Sequence, residues 1–191
     1  MWPSIAPALS GTEVFAHNGV PASTDDSQIR VDPSAAYNPA TKEIFLSWQE
    51  QDSLQFYSGV FAQKFDASGN RMWTDTGLVI VPLQSNDAEI FERTVQVGDG
   101  AFVFWIDEQL TMDGTIQAVK LDGKSNLLCQ QFGVATAIGE KASPWADIAG
   151  NGLTAIAFED YRNGNSDIYI QNVNQDCSLG KLTRSGHQVH K

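Results

Sequence analysis

The chain has 191 residues, 12 Lys and Arg against 23 Asp and Glu, a formal charge of −11 at pH 7 and 42% hydrophobic residues. That balance argues against partners such as nucleic acid or an anionic membrane surface, because binding either needs a basic patch that releases counterions. No apolar run approaches the ~18 residues of a membrane span, and the opening Met1-Trp-Pro-Ser-Ile-Ala-Pro7 lacks the basic start and apolar stretch of a signal peptide.

In chain order, residues 11–20 come first. Gly11 to Gly19 lies over Gly69 to Gly77 with both glycine pairs matched, so the chain opens on an outer strand whose blade has no first three strands. A complete unit follows over about 31–82. It comprises a turn-rich strand at Pro33–Tyr37, an apolar strand at Ile44–Trp48, an alternating strand at Ser58–Asp66, and a fourth strand through Trp73 and across Gly77 to Val81. Continuous apolarity suits a strand covered on both faces, and alternation with β-branched and aromatic residues suits a half-buried one. The second unit, about 92–138, repeats this order with Thr94–Val97, Ala101–Trp105, Gly114–Asp122 and a strand through Cys129 to Ala137. The third, about 143–190, has Pro144–Ile148, Leu153–Phe158, Ser166–Asn174 and a strand from Leu182 toward His190.

Asn-Pro, Gly-Asp-Gly and Gly-Asn-Gly close the first hairpins, and Asp or Asn ends each third strand, where its side chain holds a turn. Gly19, Gly77, Gly133 and Gly186 mark a period of about 50 to 60 residues, which is the length of a repeat-architecture unit. No stretch carries helical periodicity with a cap. The fold class is therefore all-β, a β-propeller-type array of three four-stranded antiparallel blades plus one extra N-terminal strand, a partial or half propeller. Such a count fits a piece of a longer ring, a half-ring that pairs with another copy, or an open array that caps itself.

Phe158-Glu-Asp-Tyr-Arg-Asn-Gly-Asn-Ser-Asp-Ile-Tyr169 resembles a blade motif of TolB-like and other secreted or cell-surface bacterial β-propellers, and Phe61 to Trp73 is similar to repeats of large secreted bacterial proteins. The resemblance implies a propeller and an extracellular or cell-surface setting. It leaves the function open, because such blades serve as binding platforms, adhesins and enzyme scaffolds.

A carboxylate follows each apolar strand: Glu50, Asp107 and Asp160. Equivalent positions in a propeller share one face, so the three could form an arc around a cation or sugar hydroxyls, or each could accept bonds from its own turn. Tyr57 and Tyr161, at or near loops, are candidates for exposed aromatic contacts. Trp48, Trp73, Trp105 and Trp145 are expected in the core. The segment Asp160–Asp167 is oxygen-rich and would suit calcium, yet it lacks the frame of an EF-hand loop, so no cofactor is expected. Cys129 reads as a small buried hydrophobe and Cys177 as a turn residue, with a bridge between adjacent blades left open. No nucleophile or metallohydrolase motif is present.

The expected function is thus a non-catalytic binding module of a secreted or surface protein, displaying loops to a protein or glycan partner. Two alternatives stand beside it. One is a carbohydrate-active hydrolase or lyase using paired carboxylates from Glu50, Asp107, Glu108, Asp160 and their neighbours. The other is a structural repeat that self-associates through the incomplete ring.

Overall fold

A computed structural model describes residues 18–85, 87–109, 113–149 and 152–180. All regular structure among them is antiparallel strand. The first sheet has the order β1 (Ile29–Asn38), β2 (Glu43–Gln51), β3 (Ser58–Phe65), β4 (Leu78–Gln84). The second runs β5 (Asp87–Val97), β6 (Gly100–Gln109), β7 (Gly114–Leu121), β8 (Leu127–Ala135). The third has three strands, β9 (Lys141–Ile148), β10 (Thr154–Asp160) and β11 (Asp167–Val173). Consecutive strands are neighbours in every sheet, so each sheet is a meander and each is one blade.

The apolar run of β6 explains how the blades stack. Alternation sends Phe102, Phe104 and Ile106 to one face, where they pack with Ile156, Phe158 and Val173 of the third blade. Val103 and Trp105 point the other way and join Val60, Ala62 and Val81 of the first blade. A strand between two blades must be apolar on both faces, and residues 100–106 are buried without exception. Truncating fully buried Phe104 to Ala would cost about 3–5 kcal/mol by comparison with other core phenylalanines.

The three inner strands share one irregularity. Each carries an extra residue, between Val31 and Ser34 in β1, between Ile90 and Arg93 in β5, and opposite Ala157 to Glu159 in β9. At these points Asp32, Phe91 and Ser143 adopt φ of 49°, 58° and 48°. Non-glycine residues seldom hold such values, and their recurrence at one place in three blades marks a bulge built into the repeat.

The turns after the third strands also match. Asp66 Oδ1 accepts from the amides of Ser68 and Asn70, and Asp122 Oδ1 accepts from those of Lys124 and Asn126. The fourth residue of each turn is left-handed: Gly69 at 82°, Ser125 at 70° and Cys177 at 67°. Cys177 is bonded to Cys129 of β8, 48 residues earlier, so a covalent bridge ties the second blade to the third. Cys129 is half-buried and oxidised, not the buried thiol its repeat position suggests.

Two further expectations are corrected. The fourth strand of the first blade begins only at Leu78, because Gly77 lies in a turn at φ 91° with its amide bonded to Thr74 O, and Trp73 precedes that turn. Gly133, by contrast, lies inside β8, so these glycines do not mark one structural point. The opening strand expected over 11–20 and the last strand expected from Leu182 fall almost wholly outside the described residues.

Candidate functional site

The carboxylates after the second strands stand at one end of the blades, each opposite a residue near the start of its own inner strand. Glu50 is registered with Arg30, Asp107 with Glu89 and Asp160 with Lys141. In the outer two blades this makes an ion pair. Arg30 Nη2 lies 2.9 Å from Glu50 Oε1, and Lys141 Nζ lies 3.3 Å from Asp160 Oδ2 with both side chains fully buried.

Those two carboxylates are committed to structure. Burial pushes the Glu50 carboxyl up, against the Trp48 indole N–H at 2.5 Å and the Arg30 guanidinium, which favour the charged form. Asp160 is desolvated too, but hydrogen bonds from the Arg162 side chain and amide, together with Lys141, outweigh burial and hold it below the ordinary aspartate range. An arc of three equivalent free carboxylates does not form, and the turn from Asp160 is closed by Arg162.

The middle blade is different. There Glu89 replaces the cation, so two carboxylates face each other across β5 and β6. Glu89 is buried, and desolvation pushes its carboxyl up, with the charge of half-buried Asp107 adding to the shift. Hydrogen bonds from Gln84 Nε2 at 2.5 Å and Ser58 Oγ at 3.0 Å act in the opposite direction. Three residues along β5, Glu92 is fully buried, and neither carboxyl oxygen is bonded to another described residue. Burial pushes Glu92 up to about 8, with the Asp32 and Glu89 charges contributing in the same direction. The middle blade thus holds two acidic side chains in register, with a buried third carboxyl three residues along the same inner strand that keeps its proton at pH 7.

Sequence reasoning found Asp107 and missed Glu89 and Glu92. The signal was present: superposing the inner strands aligns Arg30, Glu89 and Lys141, and the middle residue carries the opposite charge. The tyrosines are not drawn into this cluster. Tyr57 is 46% exposed beside the Asp52 turn, and half-buried Tyr161 donates to Glu159 Oε2 at 3.2 Å.

Between the three inner strands lies a groove of about 330 Å³ that continues into a second hollow of about 370 Å³. Its walls include Tyr37, Thr94, Gln96 and Trp145. Trp48 and Trp105 are buried as expected and Trp73 is half-buried, but Trp145 is 70% exposed, because it occupies an inner strand that faces the groove. No group of three metal-ligating side chains occurs among the described residues, and none of their helices is long and apolar enough to span a membrane.

Neither protein-family models nor curated proteins match the chain. Solved structures do share its fold. An N-acetylgalactosamine deacetylase from F. plautii, determined with blood group B trisaccharide, superposes with a TM-score of 0.55 at 7% identity over 91% of this chain and 55% of its own. A GH43_1 enzyme from Xanthomonas citri complexed with xylotriose gives 0.52 at 8% identity over 81% and 54%. A family 117 glycoside hydrolase from Zobellia galactanivorans gives 0.51 at 9% identity over 79% and 45%. The chain spans about half the length of these structures.

These neighbours process glycans, and that finding overturns the expectation of a non-catalytic display module. The expectation rested on the scaffold role of many propellers and on missing motifs, neither of which excludes a carboxylate mechanism. The resemblance read from Phe158 to Tyr169 holds at the level of the propeller. The chain therefore has an all-β fold of three antiparallel blades, a partial β-propeller of the kind found in carbohydrate-active enzymes.

Proposed function

We propose that the chain carries acid–base residues of a carbohydrate-active hydrolase, centred on the middle blade. The observation that carries this reading is the replacement of the blade-rim cation by Glu89, which sets two carboxylates in register beside a buried, protonated Glu92. Glycosidic bond hydrolysis needs one carboxyl that donates a proton and another that is ionised. Burial favours the first at Glu89, and Asp107, in register with it across β5 and β6, is placed to act as the second.

The glycan-processing activity of the fold neighbours supports the substrate class, and the disulfide supports an oxidising, extracytoplasmic setting. The test is a reducing-end assay of the purified protein on a panel of plant and algal polysaccharides. Turnover that drops at least about 100-fold in Asp107→Asn and Glu89→Gln is expected for acid–base residues. A panel without turnover, or variants with full activity, would sink the reading.

One observation favours a second reading, self-association. Ile168 and Ile170 on β11 are 75% and 54% exposed, at repeat positions held in the middle blade by the fully buried Ile116 and Ala118. Sedimentation at rising concentration tests it, and a monomer throughout would exclude it.

A further inference from the structure

We infer that the groove between the inner strands binds an anionic saccharide, with Arg93 receiving the sugar's carboxylate or sulfate and Trp145 and Tyr37 supplying faces for the pyranose rings. The inference rests on the carbohydrate reading above and adds a saccharide-binding surface to it, since Glu89, Glu92 and Asp107 line neither hollow of the groove.

Arg93 is the basis. Of the four described arginines, Arg30, Arg71 and Arg162 each pair with a carboxylate. Arg93 pairs with none of the described ones, in a chain where acids outnumber bases almost two to one. Its guanidinium is fixed by neutral acceptors instead. Nε donates to Pro144 O at 2.6 Å and Nη1 to Glu92 O at 2.7 Å. Carbonyl oxygens orient the group and leave its charge intact, and Nη2 has no hydrogen bond to a described residue. An oriented arginine with its charge uncompensated is suited to a planar or tetrahedral oxyanion.

The Glu92 carboxyl, adjacent in sequence, does not neutralise Arg93 at pH 7, because burial keeps its proton on. The cation therefore stays available to a ligand.

Trp145 borders both hollows, whereas Tyr37 lines the first and Arg93 the second. The Arg93 guanidinium carbon lies 6.0 Å from the centre of the Trp145 ring. Trp145 and Tyr37 are 70% and 55% exposed, and both line the 330 Å³ groove. Large aromatic surfaces of this extent in a concave site are an apolar cost in the free protein and mark a ligand contact. Thr94, on the groove floor, is already spent on the framework: its amide donates to Ser34 Oγ at 2.9 Å and its hydroxyl to Ser34 O at 3.1 Å. Asp147 lies at the opposite end from Arg93 and accepts the Ile148 amide at 2.7 Å, so the groove has a cation at one end and a carboxylate at the other. A ligand with apolar ring faces and an acidic substituent matches the aromatic surfaces and the cation. A neutral oligosaccharide matches only the first.

Isothermal titration of the intact protein with tetragalacturonate, a sulfated galactan tetrasaccharide and neutral xylotetraose tests this. At least one anionic sugar should bind roughly 10-fold or more tighter than the neutral one, the worth of a hydrogen bond to a charged group. The arm that binds identifies carboxylate or sulfate as the anion. Arg93→Gln should remove that preference and Arg93→Lys should keep most of it. Trp145→Ala, a change at an exposed side chain that leaves folding intact, should weaken all saccharides together.

Equal affinity for neutral and anionic sugars, or a preference that survives Arg93→Gln, would overturn the inference. Should Arg93→Gln not fold, the preference of the wild-type protein and its retention in Arg93→Lys decide the matter. Binding and turnover separate the two proposals. Hydrolysis of neutral glycans without anion preference rejects this inference alone, and anion-selective binding without turnover of any glycan rejects the hydrolase reading alone.

Discussion

Ser58 and Glu89 hold each other across the boundary between the first and second blades. The Ser58 hydroxyl donates to Glu89 Oε2 at 3.0 Å and accepts from the Glu89 amide at 3.1 Å. The hydroxyl therefore fixes the backbone and favours the ionised carboxylate at once. Ser58→Ala removes a bond that lowers the Glu89 pKa and leaves burial and Asp107 to raise it further. The limb of the pH–rate profile that belongs to Glu89 should move to higher pH in this variant. A profile that coincides with that of the wild type would take Glu89 out of the chemistry.

Glu92 makes stability depend on pH in a predictable direction. Its folded value is about 8 and its ordinary value 4.5, so between these the folded state holds a proton that the unfolded state has lost. Stability then falls as pH rises across that interval, by up to about 1.4 kcal/mol per pH unit. Glu92→Gln carries no titrating group and should flatten this slope and be more stable than wild type at pH 8. Thermal midpoints from pH 5 to 8 check it, and parallel curves for the two proteins would count against a protonated Glu92.

The Lys141 and Asp160 pair has the opposite sign. Its carboxylate is held below the ordinary value, so the stabilisation is present above the ordinary aspartate range and is lost as pH falls through the depressed folded value. Lys141→Met leaves Asp160 buried with Arg162 as its remaining cation. A destabilisation of about 3–5 kcal/mol is expected by urea unfolding at neutral pH, shrinking in acid. A loss under about 1 kcal/mol would mean that Arg162 alone suffices.

The bridge between Cys129 and Cys177 closes a 48-residue separation, for which loop-closure entropy gives about 4 kcal/mol of stabilisation. Reduction or Cys129→Ser should lower the denaturant midpoint accordingly. Cys177 sits at φ 67°, so Cys177→Gly should lose less than Cys177→Ser. Identical midpoints with and without reductant would show that the bridge contributes nothing.

The blade order was legible in the sequence because it is local. The run Ala101–Trp105 can only be a strand covered on both faces, and Asp66 with Asn70 dictates the turn between them. The site was less legible because its partners lie on different strands. Nothing near Glu50 announces Arg30, and Asp160 looks like a calcium ligand until Lys141 and Arg162 arrive beside it. Trp145 was misplaced for a related reason: an aromatic on an inner strand and one on a second strand look alike in sequence, yet only the second-strand position lies between blades.

The extra residue in each inner strand has a consequence for how this architecture can change its ligand. Arg30 and Ser34, four positions apart, would share a face in a regular strand. Because their partners Glu50 and Ser47 are three apart, the bulge sends them to opposite faces, and the same holds for Glu89 with Arg93 and Lys141 with Trp145. Each strand thus carries two independent addresses, one for the blade rim and one for the groove. Groove residues as different as Ser34, Arg93 and Trp145 can be exchanged among blades without disturbing the rim residues Arg30, Glu89 and Lys141, so binding preference and acid–base character are free to diverge separately.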